Sequence, residues 1–454
     1  MNPTFVKYLE EAIGKDNTLV AFSAFTQPAS VSVRCNPLKM AVPISGRPVP
    51  WSPYGVMLES RPLFTLDPIF HAGAYYVQDS SSMFVGHVFR NVLSAIDRPV
   101  GRPLRVLDLC AAPGGKTTDL AASLRQVCGD QFLLVANEVM KARVGVLADN
   151  VALWGDPNVV VTSDDPSAFA SLTGYFDIIL ADVPCSGEGM FRKDEQAQQQ
   201  WSADNVALCE GRQKRILADV WPSLRKDGIM IYSTCTFNKY ENDDNVAWMA
   251  QNLGAEILPN DLKSEGVVVT QHGYSLVPGL VEGEGQYCAS VKKTSDPEFV
   301  EGRVRSNNEK TAKQPVLPSG LDSFFSIRMD FALKGEMVTA VPGHLSSDVN
   351  MFRRNLHVIA AGCAVGTLKG KILVPDADMA LSAFLSVDAF PRQEIDRKTA
   401  LAYLHRDNVA FPGAPTGYLL VCHQGLPLGF VKNLGNRCNS LHPQSRRIRM
   451  DISE

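Results

Sequence analysis

Residues 106–124, VLDLCAAPGGKTTDLAASL, join an apolar strand, a tight glycine-bearing loop and a helix in one continuous stretch. Further short apolar segments follow it, with helix-like or polar sequence between them: FLLVANE (132–138), NVVVT (158–162), FDIILADV (176–183) and GIMIYST (228–234). Short, wholly apolar strands that alternate with helices are typical of a parallel sheet covered on both faces. The sequence therefore predicts an α/β core with a doubly wound, mostly parallel sheet, a fold that binds ligands at the carboxyl ends of its strands.

The composition of the chain excludes several classes of protein. It has 454 residues and a net charge of −4, and no run of about 18 apolar residues that would predict a membrane span. The N-terminus, MNPTFVKYLEEAIGK, lacks the pattern of a signal peptide. The ten cysteines contain no C-x-x-C pair, which argues against a zinc site or a redox dithiol. We therefore expect a cytoplasmic protein without a metal, in which a special cysteine acts as a lone reactive thiol.

The loop at residues 110–116 and three later acids predict a cofactor site. Its glycines let the backbone approach a ligand closely, and the helix that follows begins with free N–H groups. The spacing of a Walker phosphate loop is absent. Glu138, Asp165 and Asp182 each follow a later strand, and spacing favours Asp165 over the adjacent Asp164. An acid after the second strand can bind a ribose diol. This set suits an adenosyl ligand with a cationic centre, such as S-adenosylmethionine, better than a pyrophosphate.

Two cysteines also lie at strand ends, Cys185 after the fourth strand and Cys235 after the fifth. If these strands are neighbours, both thiols emerge at the same edge of the sheet. A thiolate that adds to carbon 6 of cytosine makes carbon 5 an enamine carbon that can attack a methyl sulfonium, while an acid stabilises the developing charge. The cytosine must be unstacked to be reached. A nearby cation, Lys116, Arg192 or Lys193, would lower a thiol pKa. The residues alone do not decide which thiol is the nucleophile.

The segments DLCAAPGGKTT, ANEV, TSDDP, ADVPCSGEGMFRKD and YSTCTFNKYEN resemble, in order and spacing, the motifs of the Nop/Sun family of RNA 5-methylcytosine methyltransferases. The resemblance implies a Rossmann-like class I methyltransferase core that uses S-adenosylmethionine. It implies that Cys235 is the nucleophile and that Cys185 assists product release, and we add Asp182 and Lys193 to the predicted catalytic set. The predicted cofactor-binding residues are Cys110, Ala111, Ala112, Pro113, Gly114, Gly115, Lys116, Glu138, Asp165 and Asp182.

The C-terminal sequence is similar to the PUA-like β module of the bacterial small-subunit ribosomal-RNA subgroup of that family. Between Phe430 and Met450 there is no acid, which predicts an RNA-binding surface. Its predicted residues are Lys432, Arg437, Arg446, Arg447 and Arg449.

The predicted organisation has five parts, one of which is a polar, charged stretch that we interpret as a linker. The parts are an N-terminal RNA-binding region (1–75), the methyltransferase core (76–293), the linker (294–320), an α+β middle C-terminal domain (321–390) and a PUA-like RNA-binding domain (391–454). We expect a monomer whose partner is RNA, ribosomal RNA first, either free or in an assembled or partly assembled small ribosomal subunit, and no membrane.

Three alternatives remain. The target RNA is a transfer RNA in the first. In the second, the chain is an adenine amino-methyltransferase, which needs an apolar or aromatic residue after the fourth-strand proline, where this chain has Cys185 after Pro184. In the third, the chain is a catalytically idle RNA-binding assembly factor. An intact cofactor loop and two strand-end thiols argue against that last reading.

Overall fold

The structure is a computed structural model that describes residues 2–40, 44–295 and 317–452. Its N-terminal part is a helical pair followed by a small antiparallel sheet with the strand order β2-β3-β1-β4. The elements are α1 (Pro3–Ile13), α2 (Lys15–Phe25), β1 (Val31–Cys35), β2 (Arg47–Pro48), β3 (Gly55–Leu58), α3 (Pro68–His71) and β4 (Tyr75–Val77).

The central part is one large sheet with helices on both faces. Its elements are α4 (Ser80–Ala95), β5 (Leu104–Asp108), α5 (Gly115–Cys128), β6 (Phe132–Asn137), α6 (Lys141–Trp154), β7 (Val159–Thr162), β8 (Phe176–Asp182), α7 (Glu195–Gln200), α8 (Ala203–Val220), β9 (Leu224–Thr234), α9 (Asp243–Asn252), β10 (Ala255–Ile257), β11 (Val268–Val269), β12 (Tyr274–Leu276) and β13 (Gln286–Lys293). Strands β5 to β9 run parallel in the order β9-β8-β5-β6-β7, and β13 adds antiparallel to β9. The predicted Rossmann-like core is confirmed.

The core sheet buries both of its faces, as its uninterrupted apolar strands require. Successive strand residues point to opposite sides. Val106 of β5 therefore packs in the layer formed with α4, α5 and α6, whereas its neighbour Leu107 packs in the layer formed with α8 and α9. Both side chains are fully buried. Burial of one such side chain contributes roughly 1.5–3 kcal/mol to folding, so the two layers hold the strand ends firmly in place.

The C-terminal part contains two further small sheets, ordered β14-β15-β17-β18 and β19-β20-β21-β22. Its elements are β14 (Met329–Lys334), β15 (Met337–Pro342), α10 (Ser346–Asn355), β16 (Val358–Ala361), β17 (Cys363–Lys369), β18 (Ile372–Pro375), α11 (Ala377–Leu381), β19 (Arg392–Glu394), α12 (Arg397–His405), β20 (Gly417–His423), β21 (Leu426–Asn433) and β22 (Cys438–Ser440). The long β20–β21 hairpin is the small β structure that the sequence predicts. Most of the predicted linker lies outside the described residues.

The region after the linker is less separate from the core than the sequence suggests. Strand β16 pairs antiparallel with β7, with Val358 opposite Thr162, and so extends the core sheet. Val349 and Phe352 of α10 are buried in the same apolar layer as Leu107. The pairing covers the edge that β7 would otherwise leave open, and uncovered edges invite association with other chains.

Helix α6 anchors both flanking parts to the core. From the N-terminal part, the Asn36 amide donates to the Trp154 carbonyl at 2.9 Å, and the Lys39 ammonium donates to the Leu153 carbonyl at 2.6 Å. From the C-terminal part, Arg446 forms an ion pair with Asp149 of α6 at 2.8 Å. Within the described ranges, none of the helices has the length and apolarity needed to cross a membrane.

Candidate active site

The candidate site lies where β5 and β8 stand side by side at the centre of the sheet. The chain continues from β5 outward to β6 and β7, then returns to place β8 on the other side of β5. Loops that follow these two strands therefore diverge and leave a crevice between them, which is where open α/β sheets bind ligands. The loop predicted to bind the cofactor follows β5, and the loop that carries Cys185 follows β8.

The loop after β5 is held open by its surroundings. Gly114 has a φ of +111°, in the left-handed region that favours glycine, and it directly precedes α5. Side chains of α6 hold the loop from outside. Arg143 donates to the Ala112 carbonyl at 2.6 Å, and the Asn150 amide donates to the Pro113 carbonyl at 2.8 Å. The first N–H groups of α5 consequently face the crevice from a fixed backbone.

An ion pair crosses the crevice between the two loops. The Lys116 ammonium lies 2.9 Å from Oδ2 of Asp182, and their side chains are 15% and 24% exposed. Burial opposes the charge of Lys116, but the Asp182 carboxylate outweighs it and raises the lysine pKa. Cys235 also contributes to that rise, which places the thiol within the electrostatic reach of Lys116. The pair thus connects the predicted cofactor loop to the end of β8, from which the loop with Cys185 begins.

A buried acid that the sequence analysis did not single out lies beneath the loop. Asp108 ends β5 and is fully buried. Burial raises its pKa to about 7, although the Thr117 hydroxyl donates to its Oδ2 at 2.6 Å and lowers it in part. The other carboxylate oxygen has no hydrogen-bond partner in the described structure. The signal in the sequence was an acid at the carboxyl end of the strand that leads into the loop.

Among the acids predicted after the later strands, Glu138 faces the loop, whereas Asp165 contacts other residues. Glu138 is 3% exposed and accepts from the Met140 N–H at 2.8 Å. Asp165 caps a short 3-10 helix, where its carboxylate accepts from the Ser167 N–H and hydroxyl and pairs with Arg215 at 3.3 Å. Asp165 thus caps this helix and pairs with Arg215, and its role in cofactor binding stays a prediction.

The structure brings the two strand-end thiols together. Strands β8 and β9 pair in parallel with Asp182 opposite Ser233. The loops that leave them place Sγ of Cys185 2.8 Å from Sγ of Cys235. The hydrogen bond to Cys235, burial and the nearby Glu241 carboxylate raise the pKa of Cys185 well above its ordinary value. Cys185 is therefore held as a neutral thiol beside Cys235.

The predicted catalytic lysine, Lys193, lies in a different set of contacts. Its ammonium is 3.6 Å from Asp79 and 4.0 Å from Glu284, and its side chain is 37% exposed. Arg192 next to it forms a two-point hydrogen-bonded pair with the same Glu284. The cation that the structure places at the Asp182 side of the thiol pair is therefore Lys116.

The basic residues predicted to bind RNA differ in burial and in their partners. The Arg446 side chain is only 13% exposed, because its guanidinium pairs with Asp149 and with Asp378, so two carboxylates compete with RNA for this arginine. The sequence showed no acid nearby because both acids are distant along the chain. Arg447 is half-buried against His405, and Lys432 is half-buried above the Tyr418 ring. Arg437 and Arg449 are exposed.

Known protein families match the chain along most of its length. Residues 101–292 match the model described as 16S rRNA methyltransferase RsmB/F. Residues 390–448 match the methyltransferase RsmF PUA domain, and residues 1–80 match the N-terminal domain of 16S rRNA methyltransferase RsmF.

Curated relatives and solved structures agree with these matches. The ribosomal RNA small subunit methyltransferase F of Serratia proteamaculans is 30% identical, over 97% of this chain and 95% of its own length. That of Shewanella oneidensis is 29% identical, over 98% and 96%. A methyltransferase homologue from Pyrococcus horikoshii is 25% identical with a TM-score of 0.52, over 64% of this chain and 100% of that one. NSun6 from the same organism, solved with the S-adenosylmethionine analogue SFG, shares the fold at 17% identity and a TM-score of 0.52, over 65% and 99%.

The placement of Arg446 predicts that it stabilises the protein and does not bind RNA. Arg446→Ala should lower the free energy of unfolding by about 1–3 kcal/mol, between the values typical of exposed and buried ion pairs. It should leave the salt dependence of RNA binding unchanged. The double variant Arg437→Ala, Arg449→Ala removes the two exposed arginines. It should leave the unfolding midpoint unchanged and reduce the salt slope of RNA binding by up to about 0.7–0.9 per arginine. A reduced slope for Arg446→Ala would contradict this assignment. The measurements are thermal unfolding and RNA affinity across a salt series.

The raised pKa of Asp108 predicts a specific pH dependence of stability. Its folded pKa of about 7 lies above the ordinary 3.8, so between these values the unfolded chain is ionised while the folded chain keeps its proton. Stability therefore falls as pH rises through this window and levels off above it, by about 4 kcal/mol at most. Asp108→Asn keeps an acceptor for Thr117 but cannot ionise, so its stability relative to wild type should grow from pH 4 to pH 7. Unfolding midpoints against pH test this, and parallel profiles would refute it.

Proposed function

The chain belongs to the ribosomal RNA small subunit methyltransferase F family, whose members are S-adenosylmethionine-dependent RNA methyltransferases, and we propose that it methylates carbon 5 of a cytosine through a covalent cysteine adduct. The family membership confirms the resemblance stated from the motifs. The proposal about the reacting carbon rests on one observation, the thiols of Cys185 and Cys235 at 2.8 Å in the crevice that Asp182 and Lys116 share.

The residues of the crevice fit the cofactor. The left-handed Gly114 leaves the loop backbone without a side chain at a point of close approach. Asp108 keeps a buried carboxylate oxygen without a partner, and Glu138 closes the next strand. Three acids, counting Asp182, suit a ligand with a cationic amine and sulfonium and a ribose diol. When bound, S-adenosylmethionine supplies the electrophilic methyl group.

We assign the addition step to Cys235. Its thiolate attacks carbon 6 of the cytosine, and the electron pair of the 5,6 double bond makes carbon 5 nucleophilic. Lys116 is the cation near this sulfur, and part of the rise in the lysine pKa comes from Cys235. Cys185 suits this first step less well, because its raised pKa keeps it protonated.

We assign stabilisation of the ring to the Lys116–Asp182 pair. Asp182 accepts a hydrogen bond from the exocyclic amine, or from nitrogen 3 as that nitrogen takes up a proton, while Lys116, whose Nζ lies 2.9 Å from Oδ2 of Asp182, offsets the negative charge that moves into the ring. After the methyl group has joined carbon 5, a base removes the carbon-5 proton and the carbon 6–sulfur bond breaks. The electron pair of that bond returns to Cys235. We assign assistance at this release step to Cys185. Lys193, paired with Asp79 and Glu284, acts in our proposal only at the rim of the site.

The proposed target is a cytosine in small-subunit ribosomal RNA, bound by a monomer through the C-terminal module and the N-terminal part. The relatives with this name cover nearly the whole chain, including both flanking parts, which favours that RNA over transfer RNA. Bisulfite sequencing of total RNA from cells with and without the gene tests it. Loss of a 5-methylcytosine from small-subunit ribosomal RNA is expected. Loss from transfer RNA alone would transfer the assignment to that class.

The nucleophile assignment predicts the behaviour of Cys235→Ala. The variant should bind S-adenosylmethionine and RNA with wild-type affinity, because the thiol contacts neither in the ground state. It should transfer no methyl group and form no covalent adduct, because carbon 6 then has no attacking group. Radiolabelled methyl transfer and denaturing electrophoresis measure both effects. Turnover by Cys235→Ala near the wild-type rate would overturn the assignment.

The release assignment predicts the opposite result for Cys185→Ala. This variant should accumulate a protein–RNA species that survives denaturing electrophoresis, because the adduct forms and then leaves slowly. The double variant with Cys235→Ala should show no such species. If Cys235→Ala traps RNA and Cys185→Ala does not, the two thiols have exchanged roles.

A further inference from the structure

Two buried carboxylates join the loop of one thiol to the loop of the other. Glu188 lies three residues after Cys185, and Glu241 lies six residues after Cys235. Glu188 is 1% exposed and Glu241 is 0% exposed. Among the described residues no cation pairs with either, so hydrogen bonds alone compensate their burial. Burying an ion without a counter-ion is costly, which indicates that these acids serve a purpose beyond packing.

Glu241 reaches from the second thiol loop back to the first. Its Oε2 accepts from the N–H of Ser186, the residue after Cys185, at 2.9 Å. The same oxygen accepts from the Gln213 amide at 2.8 Å, and that amide also donates to the Pro184 carbonyl, just before Cys185, at 2.9 Å. Glu241 therefore fixes the backbone on both sides of Cys185.

Glu188 makes the reciprocal connection. Its Oε2 accepts from the N–H groups of Phe237 and Asn238, just after Cys235, at 2.7 and 3.0 Å. Its Oε1 accepts from the Trp201 indole N–H at 2.9 Å. The Asn238 side-chain amide donates to Glu188 at 3.0 Å and to Glu241 at 2.9 Å, so it joins the two carboxylates.

We propose that Glu188 and Glu241 are positioning residues that together form a carboxylate clasp, which fixes the Cys185 thiol against the Cys235 thiol. The proposal deepens the proposed function and rests on it for the role of release. Each carboxylate holds the loop that it does not belong to, so neither thiol can withdraw without breaking charged hydrogen bonds.

The clasp also affects the pKa of Cys185. The Glu241 charge contributes to the raised pKa of Cys185, after the larger effects of the Cys235 contact and burial. A carboxylate near Cys185 thus keeps its proton on sulfur. Both oxygens of Glu241 accept hydrogen bonds, so the NH₂ of a glutamine would face at least one donor, either the Asn238 amide or the Ser186 and Gln213 N–H groups, and would break that link of the network.

The first experiment is Glu241→Gln in the full chain. Adduct formation should persist, because Cys235 attacks independently, while release should slow by about tenfold to a hundredfold for a loss of positioning of this kind. The denaturant-resistant protein–RNA species should therefore rise above the wild-type level, toward that of Cys185→Ala, with S-adenosylmethionine affinity unchanged. Wild-type turnover without such a species would overturn the clasp, as would loss of adduct formation with cofactor binding intact.

Two further variants control for folding and for charge. Glu241→Asp keeps the acceptors but withdraws them by one methylene from Ser186, so it should show an intermediate effect and carries the test if Glu241→Gln does not fold. Glu210→Gln removes a carboxylate of α8 that pairs with Lys214 and lies outside the clasp. It should behave as wild type, and an effect of equal size there would overturn the proposal.

A second measurement is independent of RNA. Diamide accepts two electrons and two protons as a neighbouring thiol pair becomes a disulfide, and peptide mass spectrometry locates the Cys185–Cys235 product. In Glu241→Gln the ratio of this disulfide to single-thiol diamide adducts should fall by about tenfold relative to wild type, because the ratio depends on the closeness of the second thiol and not on how fast the first one reacts. An unchanged ratio would refute the clasp. If Cys185→Ala traps no adduct on any RNA while this ratio falls as expected, the proposed covalent function fails and the clasp stands.

Discussion

The parallel pairing of β8 with β9 is the constraint on which the candidate site depends. Paired strands lie about 4.8 Å apart, and Asp182 stands opposite Ser233 across this pair. The loops that leave the two strands therefore start side by side, and one residue more or less in either would carry Cys185 or Cys235 out of reach. Two buried apolar layers hold the strands in this alignment, so the packing of the core also determines the distance between the two thiols.

The charged side chains of the crevice are distributed unevenly, with the acids around the loop and a lysine toward the thiols. Asp108, Glu138 and Asp182 surround the loop, where a cationic ligand profits from them. The same acids and burial raise the pKa of Cys110, which makes that thiol a poor nucleophile although it lies in the loop. Lys116 is the cation at the thiol side of this cluster. Lys116 thus lies between the acids around the loop and the thiol pair.

The flanking parts support the site as well as extending the surface. Helix α1 places Phe5 against Phe191 and Trp201, with ring centroids 5.0 and 5.5 Å apart, beneath the chain segment that follows Cys185. On the other side of the molecule, α6 holds the cofactor loop through Arg143 and Asn150, and it is also the helix to which both flanking parts attach. Helix α6 thus contacts both flanking parts and the loop predicted to bind the cofactor.

The sequence by itself determined the α/β core, its strands, the family motifs and the pairing of two strand-end thiols, because these depend on local hydrophobic pattern and on short motifs with fixed spacing. It did not determine what each charged side chain contacts. Asp165 was assigned to the cofactor, but Ser167 and Arg215 hold it. Arg446 was assigned to RNA, but Asp149 and Asp378, distant along the chain, bury it. Glu188 and Glu241 lie in the family motifs, but the sequence assigned them no role. Strand β16, which follows the linker, pairs with β7 of the core sheet. Hydrogen bonds and ion pairs are made between residues far apart in sequence, so only the tertiary structure decides which acid meets which donor.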